Sequence, residues 1–320
     1  MELARVVSKG TQPVVFRDLV SDWPVVKSAR QGNEALQAYL LGFYEGATVN
    51  LFSGEPGLEG RFFYNEQVTG FNFDRSRVKL DDVLLRLARQ SGGEPARSYY
   101  VGATTIDNCL PGFTEENALE LEAIDPLASI WIGNETRIAA HYDLPDNVAC
   151  VAAGHRRFTL FPPEQLANLY PGPLDFTPAG QQLSLVDFRQ PDQERNPLFS
   201  EALEAALVAE LGPGDALFIP SMWWHHVESL DSINVLVNYW WRKSPAYMGP
   251  PIDVLLHALL SLRDLPAEQK KAWENIFAHY VFEQDSHVEH IPVDSLGVLG
   301  PMDETQARKL RAMLIAKLNR

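Results

Sequence analysis

The sequence predicts a mainly β fold, a barrel or sandwich with helical decorations, and two features predict it. Between Ser129 and Trp241, short segments rich in β-branched and aromatic residues follow one another closely, separated by turn-forming groups such as Leu144-Pro145-Asp146, Ala153-Gly154 and Gly212-Pro213-Gly214-Asp215. After Trp241 the apolar residues recur at three- and four-residue spacing instead, which predicts a helical C-terminal segment. Domain boundaries are accordingly expected at 1–245 and 246–320.

Taken in chain order, Asn33 to Leu41 has helical spacing, as does Leu80 to Leu87, where Asp81 and Asp82 suit a helix N-terminus. Thr48 to Phe52 and Tyr99 to Val101 read as strands. Further strands are expected at Ser129–Ile132, Arg137–Asp143, Asn147–Ala152, Arg157–Phe161, Ala216–Ile219, Trp224–Ser229 and Ile233–Trp241. Helical insertions are expected around Pro163 to Leu169 and Glu201 to Leu211. The tail reads as helices over Ile252–Leu262, Ala267–Phe282 and Glu304–Leu318, with Pro266 where a helix begins. Val254 to Leu260 is more apolar than a surface helix needs, which predicts packing on the barrel or on a second copy, and a homodimer is the expected partner state.

With 46% hydrophobic and 22% charged residues among 320, the chain can bury a full core. Its two cysteines, Cys109 and Cys150, form no C-x-x-C pair, so neither a disulfide framework nor a thiolate metal site is expected. The N-terminus has no apolar run of the secretory kind and no segment has the length of a membrane span, so a cytoplasmic protein is expected. A net charge of -15 repels phosphate backbones and acidic membranes, so nucleic acid is not the expected partner.

The chemistry centres on His141-Tyr142-Asp143. Alternate strand residues share a face, so His141 and Asp143 point together. A histidine from a distant strand completes a two-histidine, one-carboxylate triad, which leaves positions open on a redox metal. By itself H-x-D also fits an ordinary strand with a hydrogen-bonded histidine. A candidate third ligand lies after the turn Gly214-Asp215 and the corner at Pro220, in Trp223-Trp224-His225-His226, where only one of the two histidines can face inward.

These stretches, with Phe161-Pro162-Pro163-Glu164-Gln165, Leu169-Tyr170-Pro171, Val186-Asp187-Phe188 and Val237-Asn238-Tyr239-Trp240, match in order and spacing from Pro13 to Trp241. In them the chain resembles the JmjC and cupin-like oxygenases, most nearly the asparaginyl hydroxylase branch acting on hypoxia-inducible factor. The resemblance implies a double-stranded β-helix (jelly-roll) barrel, Fe(II), the cosubstrate 2-oxoglutarate and O2. It implies His141, Asp143 and His225 as iron ligands, with His226 packing outward or supporting the ligands from behind.

It further implies Arg156 as the cation for the far carboxylate of the cosubstrate, where the relative has lysine; a guanidinium can grip a carboxylate twice. Arg157 is the alternative, since a one-residue register change exchanges the two. Asn147, Asn238, Tyr99 and Trp240 match residues lining the cosubstrate pocket, with Tyr100 as the neighbour able to replace Tyr99. Phe63, Asn65 and Gln182 are the candidate contacts to the prime substrate. The chain departs from the branch at Ile138, where a threonine is usual, and at Gln182-Leu183, where an arginine-glutamine pair holds a substrate amide. An asparagine target is therefore not supported.

The implied activity is hydroxylation of an aliphatic C–H in a protein, peptide or small molecule, with release of succinate and CO2. Alternatives are N-methyl-lysine demethylation, a non-catalytic binding or sensing barrel, and a zinc cupin, which has no need of a keto-acid cation.

Overall fold

A computed structural model of the chain describes residues 3–89, 97–121, 124–178, 180–283 and 288–319. The strands are β1 (Val14–Phe16), β2 (Thr48–Gly54), β3 (Arg61–Phe62), β4 (Asp74–Lys79), β5 (Ser98–Thr105), β6 (Leu127–Gly133) and β7 (Thr136–Tyr142). There follow β8 (Asp146–Ala153), β9 (Arg156–Phe161), β10 (Leu207–Leu211), β11 (Ala216–Ile219), β12 (Trp224–Ser229) and β13 (Asn234–Trp241). They form an eight-stranded sheet, β1-β11-β8-β13-β6-β5-β2-β4, and a five-stranded sheet, β10-β9-β12-β7-β3. The pairing is antiparallel except between β3 and β7, and the result is a jelly-roll sandwich.

Residue parity divides the packing. In β13, Val235, Val237, Tyr239 and Trp241 join a core on the outer face of the larger sheet, whereas Leu236 joins the interior between the sheets. Phe158 and Leu160 of β9 and Val227 of β12 meet it there. The outer core is completed by the helices Pro24–Gln31, Asn33–Gly42 and Leu80–Arg89, which bury Val25, Leu36, Val83 and Leu87. A sheet covered on both faces needs apolar residues at nearly every position, and β8 is buried throughout. Gly32, at φ 123°, separates two of these helices with a backbone conformation open to glycine. In Leu80–Arg89, Asp81 and Asp82 occupy the first turn and Arg86 and Arg89 the last, each favourable to the helix dipole.

One expectation about these elements is corrected. The insertion from Glu201 to Leu211 is helical only over Phe199–Glu204; Leu207–Leu211 is strand β10, paired with β9. Its alternation of exposed Val208 and Glu210 with buried Ala209 and Leu211 is a sheet period, which the apolar content around it obscures. The helical insertion expected around Pro163 to Leu169 is present as two short 3-10 turns, Pro163–Gln165 and Ala167–Leu169.

The chain divides into compact units Met1–Lys243 and Ser244–Arg320. The second carries helices Pro251–Ser261, Ala267–Phe277 and Glu304–Leu318; the Asp303 side chain caps the last, accepting from the Gln306 N–H at 2.8 Å. No described helix is long and apolar enough to cross a membrane.

Candidate metal centre

His141 lies near the end of β7, Asp143 just beyond it, and His225 opposite on β12, where His225 and His141 are cross-strand partners. The ligand atoms of these three side chains all lie within 4.8 Å of one another, with His225 Nε2 3.6 Å from Asp143 Oδ2. Both imidazoles are held from behind. His141 Nδ1 is 2.9 Å from the Ala139 carbonyl and His225 Nδ1 3.0 Å from the Trp223 carbonyl. A carbonyl only accepts, so each Nδ1 carries the proton and each Nε2 lone pair is free to face the common point. Burial, then the neighbouring His141, lowers His225 to about 4, so it is a neutral ligand at pH 7. Two neutral imidazoles and one carboxylate suit a divalent transition metal with open positions.

The three residues open onto a cavity of about 390 Å³. Arg156 also lines it, 3% exposed, meeting no carboxylate or hydrogen-bond acceptor among the described residues, and its Nε is an orphaned donor. Burial lowers this guanidinium to about 10, which leaves it charged at neutral pH. A buried, unpaired cation is costly, and an anion arriving in the cavity would offset that cost. Arg157 faces the other way, 2.8 Å from Glu210 and 3.5 Å from Glu228. Asn147 and Asn238 both line the cavity, joined by a 2.9 Å hydrogen bond from Asn238 Nδ2 to Asn147 Oδ1. Trp240 lines it as well. His226 turns to the opposite side of β12, stacked on Phe188 at 4.4 Å.

Other expected positions lie elsewhere. Tyr99 packs into the outer core with Val101, and Tyr100, on the opposite face of β5, lines the cavity. Phe63 is buried with Tyr64 and Leu183 beneath the Arg61 guanidinium, while Phe62 reaches the cavity. Asn65 is tied into a turn, accepting from Thr69 N at 3.0 Å. Gln182 Nε2 donates to the Gly172 carbonyl at 2.8 Å, and Gln181 lines the cavity instead. Each side chain that misses the cavity is held by a contact that strand or turn geometry imposes. Trp131, Asn50 and Phe73 line the cavity without having been singled out. Alternation in β6 is the signal for Trp131: Ile130 and Ile132 join the outer core, which turns the residue between them inward.

Comparison with known proteins agrees with this architecture. A profile described as "Cupin-like domain" matches residues 1–247. HSPB1-associated protein 1 of Bos taurus is 34% identical over 243 residues, 72% of this chain and 48% of the relative. Jumonji C domain-containing protein 5 of Drosophila melanogaster is 26% identical over 246 residues, 72% of this chain and 55% of the relative. Lysine-specific demethylase JMJ31 of Arabidopsis thaliana is 34% identical over 117 residues, 36% of this chain and 21% of the relative. The chain thus spans about half or less of the length of these curated relatives. They lend no support to the asparaginyl hydroxylase branch in particular. On the match over 1–247, the chain belongs to the cupin-like domain family.

Proposed function

We propose that this chain is an Fe(II)- and 2-oxoglutarate-dependent oxygenase that hydroxylates an aliphatic C–H of a protein, peptide or small-molecule substrate, releasing succinate and CO2. The observation that carries the reading is the pairing, in one cavity, of the His141–Asp143–His225 cluster with the unpartnered cation Arg156. A metal alone would not need that cation. A dicarboxylate keto acid would, because its two ends call for a metal at one side and a guanidinium at the other.

Bound iron with its cosubstrate would supply the oxidising chemistry; the protein's part is binding and orientation. His141 and His225 are fixed in one tautomer by the Ala139 and Trp223 carbonyls, and Asp143 contributes the compensating negative charge. Arg156 takes the far carboxylate, with Asn147 and Asn238 beside it. Phe158, Ile219 and Leu236 form an apolar wall that keeps water from the reacting C–H. Phe52, Phe62 and Phe73 add an aromatic wall, alongside which the prime substrate's side chain would lie.

The test is conversion of 2-oxoglutarate to succinate by the iron-loaded chain, first without a prime substrate and then against peptide and small-molecule pools. Asp143→Ala, which removes one of the three metal ligands, is expected to abolish succinate formation; undiminished succinate would refute the metal role. Similarity to a protein named as a lysine demethylase favours a second reading, removal of a methyl group from N-methyl-lysine. Formaldehyde release with a methylated peptide separates it from stable hydroxylation.

A further inference from the structure

The three ligands of the metal cluster are not held alike. His141 and His225 belong to paired strands, whereas Asp143 stands one residue beyond the end of β7, outside the ladder that fixes the other two. A carboxylate on a turn can swing unless the turn is tied down, and a ligand held loosely weakens its metal.

The tie is a second corner. Residues 220–223, between β11 and β12, meet the turn 143–146 through three hydrogen bonds. Ser221 Oγ donates to the Leu144 carbonyl at 2.6 Å, the Met222 N–H to the Asp143 carbonyl at 2.9 Å and the Ser221 N–H to Asp146 Oδ1 at 3.0 Å. The next carbonyl of the same corner, that of Trp223, accepts from His225 Nδ1. One short segment therefore sets the backbone of Asp143 and the ring of His225 together. Asp146 is anchored in turn: it is 5% exposed, and its other oxygen lies 3.1 Å from Lys243 Nζ.

Met222 bears the cost of this arrangement, at φ 68° in the left-handed region that a side chain disfavours. Its own side chain is 38% exposed, so core packing does not hold it there. A strained backbone persists where surrounding bonds over-determine it, and here one of those bonds runs to the ligand Asp143.

We infer that Ser221 and Asp146 are positioning residues of the metal centre, clamping the Asp143 turn to the corner that carries the support of His225. Neither belongs to the ligand set; both act through the backbone of those that do. The inference rests on the metal-binding part of the oxygenase reading and is independent of the keto acid. The probe is Co(II), whose visible absorption reports coordination geometry, titrated into the metal-free full chain. Ser221→Ala and Asp146→Ala are each expected to bind Co(II) about tenfold or more weakly, with an altered spectrum at saturation. Ser221→Thr keeps the hydroxyl, and Asp146→Asn keeps the oxygen that accepts from the Ser221 N–H while losing the charge facing Lys243. Both are expected to retain the affinity and spectrum of the unsubstituted chain.

Unchanged affinity and spectrum in both alanine variants overturn the inference. So does an equal loss in the threonine and asparagine variants, which marks general damage rather than a missing bond. If an alanine variant does not fold, amide exchange in the unsubstituted, metal-free chain decides: the Met222 N–H is expected to exchange slowly, and free exchange there overturns the clamp. Failure of the unsubstituted chain to take up Co(II) sinks the metal reading itself, whereas uptake that the alanine substitutions leave unchanged sinks only the clamp.

Discussion

Arg156 and Arg157 are neighbours in β9 with opposite fates: the first is 3% exposed in the cavity without a carboxylate, while the second forms a 2.8 Å ion pair with Glu210 outside it. The stability of the ligand-free fold should therefore gain nothing from the Arg156 charge. Arg156→Met is expected to leave unfolding free energy unchanged or raise it by up to ~4 kcal/mol, while abolishing 2-oxoglutarate binding. Denaturant melts with and without the keto acid check both halves. A loss of several kcal/mol would show the guanidinium to be part of the core's own support.

Alkaline pH should weaken the fold through Cys109. Burial, with a smaller contribution from Asp107, raises this thiol from 9.0 to about 11. Between those values the unfolded thiol has lost its proton and the folded one keeps it, so the native state binds more protons and stability falls as pH rises. Below pH 9 both states are protonated and the contribution is flat. Urea midpoints from pH 8 to 11 should fall, and the slope should be shallower in Cys109→Ala.

Gln181 and Gln182 should separate binding from support. Gln181→Ala, at the cavity wall, is expected to raise KM for the prime substrate several-fold with melting unchanged. Gln182→Ala releases the Gly172 carbonyl and is expected to cost about 1 kcal/mol of stability. Equal kinetic effects from both would contradict this division.

The C-terminal unit leaves Val254, Leu260 and Phe282 exposed at 59%, 79% and 75%, and Ala307 is its one buried residue among those described. Apolar surface on this scale calls for a cover, and we expect a homodimer through these helices. Light scattering at micromolar concentration should give twice the monomer mass, and Leu260→Glu should shift it toward the monomer. A monomer at every concentration would refute the expectation.

From the amino-acid pattern alone came every strand between Ser129 and Trp241 but Leu207–Leu211, and the helical tail, because period is a local property; the motifs, through their resemblance to the JmjC and cupin-like oxygenases, supplied the three side chains of the metal cluster. What it left open was parity. Tyr99 against Tyr100 and Phe63 against Phe62 each differ by one residue, and along a strand or its extension one residue moves a side chain to the other face; Gln182 against Gln181 is the same one-residue difference in a loop. The register also shifts where no local pattern shows it: Ile138 pairs with Val227 and His141 with His225, so three steps in β7 oppose two in β12 and both Ile138 and His141 reach the cavity. A bulge exists only with respect to a partner strand. Only the assembled sheets could therefore decide which side chains, Arg156 and Trp131 among them, line the cavity that holds the metal cluster.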